Sequence, residues 1–282
     1  MESLSNLMVA GAFMAALGVA LAGLLAFANK KLYVWEDPRI GEVEELLPKS
    51  NCGACGQAGC RDFAEKVVCG DIIPAQCTVS SPQQRQGIAD LLGVAAGAVE
   101  KKVARLACGG GHHVAFLRAR YEGLKTCRAA AVVSGGGKEC AWGCLGLADC
   151  ANVCTFGAIT MNDVGLPVVD PAKCTACNDC VEACPKDLFV LMPLQHQLLV
   201  QCRNLLEGEA ATAVCQVACN GCQRCAADAP GLITIRNGLA VVDYDRYDLA
   251  SPVATGRCPT GAIVWLAGAQ FGGSTRTQGV AR

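Results

Sequence analysis

The chain has 282 residues, with 25 acidic and 24 basic side chains and a formal charge of −1. That balance, without basic stripes, excludes a nucleic-acid footprint, and 5% aromatic with 17% charged residues leaves a thin core for two or three small domains. Twenty-one cysteines stand far above ordinary use, so bound inorganic groups are expected to carry much of the folding that apolar packing carries elsewhere.

Residues 3–29 carry no charge, and 7–28 are almost wholly apolar. About 20 such residues cross a bilayer as a helix. A soluble helix would keep a polar face, and a cleaved signal would open on basic residues, whereas this chain opens Met1-Glu2-Ser3. Residues 1–29 are therefore predicted to be a single-pass anchor. Lys30 and Lys31 follow it and no basic residue precedes it, so the positive-inside rule predicts the bulk of the chain on the cytoplasmic side of the cell inner membrane. A reducing cytoplasm keeps thiols free for iron and disfavours disulfides. Gly11/Ala15 and Gly18/Ala22 either form a packing face for another membrane helix or simply fill a lipid-facing span.

After the stretch 42–45 comes Asn51-Cys52-Gly53-Ala54-Cys55-Gly56-Gln57-Ala58-Gly59-Cys60, with Cys69 and Cys77 downstream. The glycines let the backbone close around a cluster and turn N–H groups towards sulfur. Residues 61–68 are predicted to be a helix, with Phe63 and Val67 on one face. Cys69 competes with Cys77 as the fourth ligand, though a buried thiol is the simpler reading of it. An apolar anchor followed by N-C-G-A-C-G-x-x-G-C and a distant cysteine resembles the family of Rnf complex B subunits, and the resemblance extends to about Trp265. It implies a membrane helix, a four-cysteine [4Fe-4S] domain with Cys77 as the fourth ligand, and a ferredoxin-like remainder.

Residues 79–107 are predicted to be a connector, broken at Ser80-Ser81-Pro82, with short helices over 88–92 and 99–106. Cys108-Gly109-Gly110-Gly111-His112-His113 offers metal-ligand types, but the glycine run favours a solvated loop. The triple glycine at 135–137 lacks the Lys-Ser/Thr of a phosphate loop and is predicted to be a turn.

From Cys140 the chain repeats itself. Cys140, Cys144 and Cys150 align with Cys215, Cys219 and Cys225, Leu147 falls on Cys222, and Cys154 on Ala229. Gly165-Leu166-Pro167-Val168-Val169-Asp170 matches Gly238-Leu239-Ala240-Val241-Val242-Asp243. Cys174, Cys177, Cys180 and Cys184-Pro185 form C-x2-C-x2-C-x3-C-P, the run that wraps an iron–sulfur cluster. A zinc site more often pairs two separated knuckles. Cys184 is predicted to start a short helix, with Pro185 in its first turn. Each repeat resembles a two-cluster bacterial ferredoxin, which implies three ligands from one motif and the fourth from the other. In the first unit that puts Cys154 with Cys174, Cys177 and Cys180, and Cys184 with Cys144 and Cys150, Cys140 replacing the ligand missing at Leu147. In the second, Ala229, Tyr247, Ala250 and Val253 replace one whole set, while Cys219, Cys222, Cys225 and Cys258 keep the other.

The prediction is an α+β chain: anchor (1–29), four-cysteine [4Fe-4S] domain (30–80), connector (81–135), two-cluster ferredoxin-like unit (136–195), one-cluster unit (196–267) and a flexible tail (268–282). Four [4Fe-4S] clusters sit on sixteen cysteines. Cys108, Cys127, Cys202 and Cys215 are left either as a fifth centre or, more simply, as buried thiols. Three histidines and no dinucleotide fingerprint leave an electron wire with no catalytic site of its own. The Rnf resemblance implies exchange with soluble ferredoxin, coupling to NAD+ reduction and H+ or Na+ movement, and assembly with the A, C, D, E and G subunits, with no nucleic acid involved. The alternatives are an electron-transfer subunit of a hydrogenase or dehydrogenase, or a zinc-stabilised scaffold.

Overall fold

The computed structural model describes residues 2–32 and 35–271. Helix α1 (Glu2–Leu32) contains one stretch, Met8–Leu32, long and apolar enough to cross a membrane, and none of it is buried in protein. Lys30 and Lys31 occupy its last turn, where a cation complements the helix dipole.

The next module packs α2 (Pro38–Leu46), α3 (Cys60–Cys69) and α4 (Pro82–Leu92). Pro38 opens α2 behind an Asp37 cap, and Ser81 and Gln84 form a reciprocal capping box on α4, supplying partners for otherwise orphaned N–H groups. Val43, Phe63, Ala64, Val67 and Ile88 make its small core, and Cys60 and Cys77 belong to the same cluster.

The remainder is two copies of one plan. In the first, β1 (Lys102–Leu106) leads through α5 (Cys127–Val132) and α6 (Asp149–Asn152) to the hairpin β2 (Ile159–Met161) and β3 (Pro167–Val169), then to α7 (Asp179–Ala183) and β4 (Phe189–Pro193). β4 pairs antiparallel with β1, Leu106 opposite Phe189. In the second, β5 (Leu198–Val200) leads through α8 (Gly208–Val214) and α9 (Arg224–Asp228) to the hairpin β6 (Ile233–Arg236) and β7 (Leu239–Val242), then α10 (Val253–Gly256) and β8 (Ile263–Trp265). β8 pairs with β5, Val200 opposite Ile263. Each unit thus closes its first strand on its last around an inner hairpin.

Several expectations change here. Residues 102–106 form a strand, not a helix, because β4, far along the chain, supplies their backbone bonds, and tertiary pairing overrides a weak local preference. β1 also draws part of the expected connector into the first unit. Helix α7 ends before Cys184 and Pro185, so Pro185 follows the helix instead of opening it, at a point where no further N–H is needed. The glycines after Cys108 are not a solvated loop: Gly110 and Gly111 are buried while His112 and His113 are exposed. The turn at 135–137 is as predicted, with Gly135 and Gly136 left-handed, and Gly137 sits where a Cβ would run into the Ala119 carbonyl oxygen. Within the expected tail Gly268 and Ala269 are exposed, but Gln270 is packed. Gln270 is 1% exposed and its amide brackets Leu106, accepting from its N–H at 2.8 Å and donating to its carbonyl at 2.7 Å. The tail beyond Phe271 lies outside the described residues.

Candidate metal centres

Four cysteines wall each of five cavities. The first, about 300 Å³, is lined by Cys52, Cys55, Cys60 and Cys77. Gly53 and Gly56 take left-handed backbone there, and a Cβ on Gly59 would stand 2.9 Å from Asn51 Oδ1, the atom that accepts the Cys60 N–H at 2.8 Å. Cys77 is buried and its sulfur accepts from Ser80 Oγ at 3.0 Å. Cys69 faces solvent at the far end of α3 instead of being a buried thiol.

The first ferredoxin-like unit has two cavities of about 330 Å³. One is lined by Cys154, Cys174, Cys177 and Cys180. The other brings Cys144, Cys150 and Cys184 together with Cys127, not with Cys140 as the repeat suggested. Cys127 opens α5, whose Thr126 cap accepts from Ala129 N–H, and Arg128 N–H donates to Asp149 Oδ2 at 3.0 Å, tying α5 to α6. No spacing signal marks Cys127, because it lies outside the repeat and arrives by folding. Cys140 lines a separate cavity of about 320 Å³ with Cys108, Cys202 and Cys215.

In the second unit a cavity of about 330 Å³ is lined by Cys219, Cys222, Cys225 and Cys258. The Arg257 guanidinium donates to Asp228 at the end of α9 and so fixes the approach of Cys258. At the positions aligned with cysteines of the first unit, Ala229, Tyr247 and Ala250 pack with the core. His196 stacks on Tyr247 with ring centroids 3.9 Å apart and on Tyr244 at 5.5 Å. Tyr247 Oη accepts from the N–H groups of Gln197 and Leu198.

The donor sets suit a polynuclear thiolate-held group. Among the described residues no three His, Cys, Asp or Glu side chains gather closely enough for one metal ion, whereas a zinc needs four donors within about 2.3 Å of one point. Thr175 Oγ1, in the wall of the Cys154/Cys174 cavity, is buried without a hydrogen-bond partner among the described residues, a donor suited to a cluster sulfide. Burial pushes Cys144, Cys150, Cys180 and Cys202 up to about 12 and Cys225 up to about 11. Such thiols stay protonated at neutral pH until a cation takes the protons' place.

Comparison with known proteins agrees with this chemistry. A family model described as "Putative Fe-S cluster" matches residues 47–79, and a 4Fe-4S binding domain matches residues 166–189. The B subunit of the Na(+)-translocating ferredoxin:NAD(+) oxidoreductase complex of Acetobacterium woodii is 41% identical over 79% of this chain and 67% of its own length. The B subunit of the proton-translocating counterpart in Clostridium ljungdahlii is 38% identical over 89% of each chain, and that of the ion-translocating oxidoreductase complex of Methanosarcina acetivorans is 35% identical over 89% of this chain and 96% of its own. A chain of this architecture, carrying [4Fe-4S] clusters and this likeness over most of its length, belongs to the family of Rnf complex B subunits and is an iron–sulfur electron-transfer subunit.

Proposed function

We propose that this chain is a membrane-tethered relay that takes electrons from, or returns them to, soluble ferredoxin on the cytoplasmic side of the inner membrane. The observation that carries this is the presence of several cavities each walled by four cysteines, none drawn in to single-ion geometry among the described residues. In this reading the ligand sets are Cys52/Cys55/Cys60/Cys77, Cys127/Cys144/Cys150/Cys184, Cys154/Cys174/Cys177/Cys180 and Cys219/Cys222/Cys225/Cys258. The clusters supply one-electron chemistry. The protein's part is spacing, amide donors to sulfur and exclusion of water. Ala158 N–H, for instance, donates to Cys154 Sγ at 3.3 Å.

The chain has no catalytic site of its own in this reading, and NAD+ reduction falls to other subunits. An uncharged single span is no ion path, so H+ or Na+ movement falls to them as well. Lys30 and Lys31 at the end of α1 support the cytoplasmic orientation. The test is to mix reduced ferredoxin anaerobically with the oxidised full-length protein in detergent. Rapid bleaching of its visible absorbance, with [4Fe-4S] signals in low-temperature EPR, is the expected result. A spectrum that ferredoxin leaves unchanged while dithionite bleaches it would overturn the ferredoxin assignment.

A further inference from the structure

We infer that the cavity between the two ferredoxin-like units is a fifth [4Fe-4S] site, held by Cys108, Cys140, Cys202 and Cys215, and that it joins the clusters of one unit to the cluster of the other. This rests on the ligand sets proposed above, since it takes the same kind of cavity to hold the same kind of group. All four thiols are buried, and they line one cavity, as four cysteines line each of the other four.

Its symmetry is the strongest argument. Cys108 lies two residues past the end of β1, and Cys202 two past the end of β5. Cys140 and Cys215 are aligned positions of the internal repeat. The four ligands are therefore two pairs of equivalent residues, one pair from each unit. Their neighbours repeat too. Cys144 N–H donates to Cys108 Sγ at 3.4 Å, and Cys219 N–H donates to Cys202 Sγ at 3.3 Å. Cys144 and Cys219 are themselves equivalent, and each is a ligand of the adjoining set. A single hydrogen bond thus separates this site from the site on either side.

Three further features fit a cluster better than a pocket of stray thiols. Asn204 is 1% exposed and lines the cavity, and its Nδ2 has no acceptor among the described residues. An unmet buried donor is costly, and a cluster sulfide would meet it. Lys138 is 7% exposed, lines the same cavity and donates from Nζ to the carbonyls of Gly110 and Cys144, each at 2.5 Å. A buried cation needs an anionic partner, and a thiolate-held cluster is anionic. Gly110 comes so close that a Cβ would lie 3.0 Å from Cys215 Sγ. With clusters bound, Cys127/Cys144/Cys150/Cys184 would hold the donor of one electron and Cys219/Cys222/Cys225/Cys258 its acceptor, or the reverse, the one oxidised as the other is reduced, with no bond broken and no further reactant.

The test counts iron and acid-labile sulfide in the full-length chain purified anaerobically. About twenty irons per chain are expected at four per cubane, and Cys108→Ala/Cys202→Ala should lose one fifth of them. Cys69→Ala, at an exposed thiol outside every cavity, should lose none. About sixteen irons in the unmodified chain, unchanged in the double variant, would overturn the fifth site and leave the other four sets standing, whereas about eight or fewer would overturn both. Should the double variant fail to fold, the count in the unmodified chain still decides, together with Cys215→Ser. That change is expected to alter one EPR signal of five, and an unaltered spectrum would overturn the site. For the bridging role, rapid-freeze EPR after mixing with reduced ferredoxin should show both units reduced together in the unmodified chain and one unit lagging in the double variant. No lag would overturn it.

Discussion

The two ferredoxin-like units share one plan and differ in what fills it. In the first, Cys154, Cys174, Cys177 and Cys180 enclose a cavity. At the matching place in the second, Ala229, Tyr247 and Ala250 close ranks with the core, and His196, Tyr244 and Tyr247 stack. The phenol of Tyr247 satisfies strand N–H groups, and Tyr244 Oη donates to the Leu198 carbonyl at 3.2 Å. Thiols left there without a bound group would be buried polar groups beside a void. Aromatic rings supply volume together with a polar handle, so the pseudo-symmetric frame is kept without a cysteine-lined cavity at that place.

The largest effect expected is on the clusters themselves. Cys180→Ala and Cys225→Ala should each remove about four irons per chain, and EPR should show the first unit keeping one centre of its own and the second none. Equal spectra from the two variants would break the contrast between the units. Gly137→Ala comes next. Its Cβ would run into the Ala119 carbonyl in a left-handed backbone, at an expected cost of about 2–5 kcal/mol, read as an earlier midpoint for anaerobic bleaching in guanidinium. Gln270→Ala would leave both backbone groups of Leu106 without the partners that bracket them. About 2–4 kcal/mol is expected there, loosening the first unit before the second. Tyr247→Phe is the mildest. It keeps the stack and removes the acceptor for Gln197 and Leu198, for about 1–3 kcal/mol, and should shift the second unit's bleaching while leaving the first unit's in place. A variant that destabilised both units equally would argue against the plug being local to one of them.

Much of the site was legible because cluster binding is partly a local code. Cys174, Cys177 and Cys180 line one cavity from a single short stretch, and Cys52, Cys55 and Cys60 line another likewise, so interval alone announces them. The internal repeat showed which cysteines of the first unit have no counterpart in the second for the same reason, since aligned residues are compared position by position. The remote ligands were another matter. Cys127 and Cys140 both lie ahead of the Cys144 motif, and nothing in their spacing tells which joins it. The bond from Arg128 to Asp149 swings α5 onto α6 and brings Cys127 in, while Cys140 turns towards the second unit.

Taken alone, the order of residues determined the apolar span, the closely spaced cysteines, the repeat and the positions where its second copy lacks cysteine, all of which are matters of composition or short interval. Folding decided that residues 102–106 are a strand, that Gln270 closes over the end of β1, and that Cys108, Cys140, Cys202 and Cys215 meet in one cavity. Those outcomes depend on backbone bonds between segments far apart in the chain. Such pairings are selected by the whole packed arrangement and leave no mark in any window of sequence.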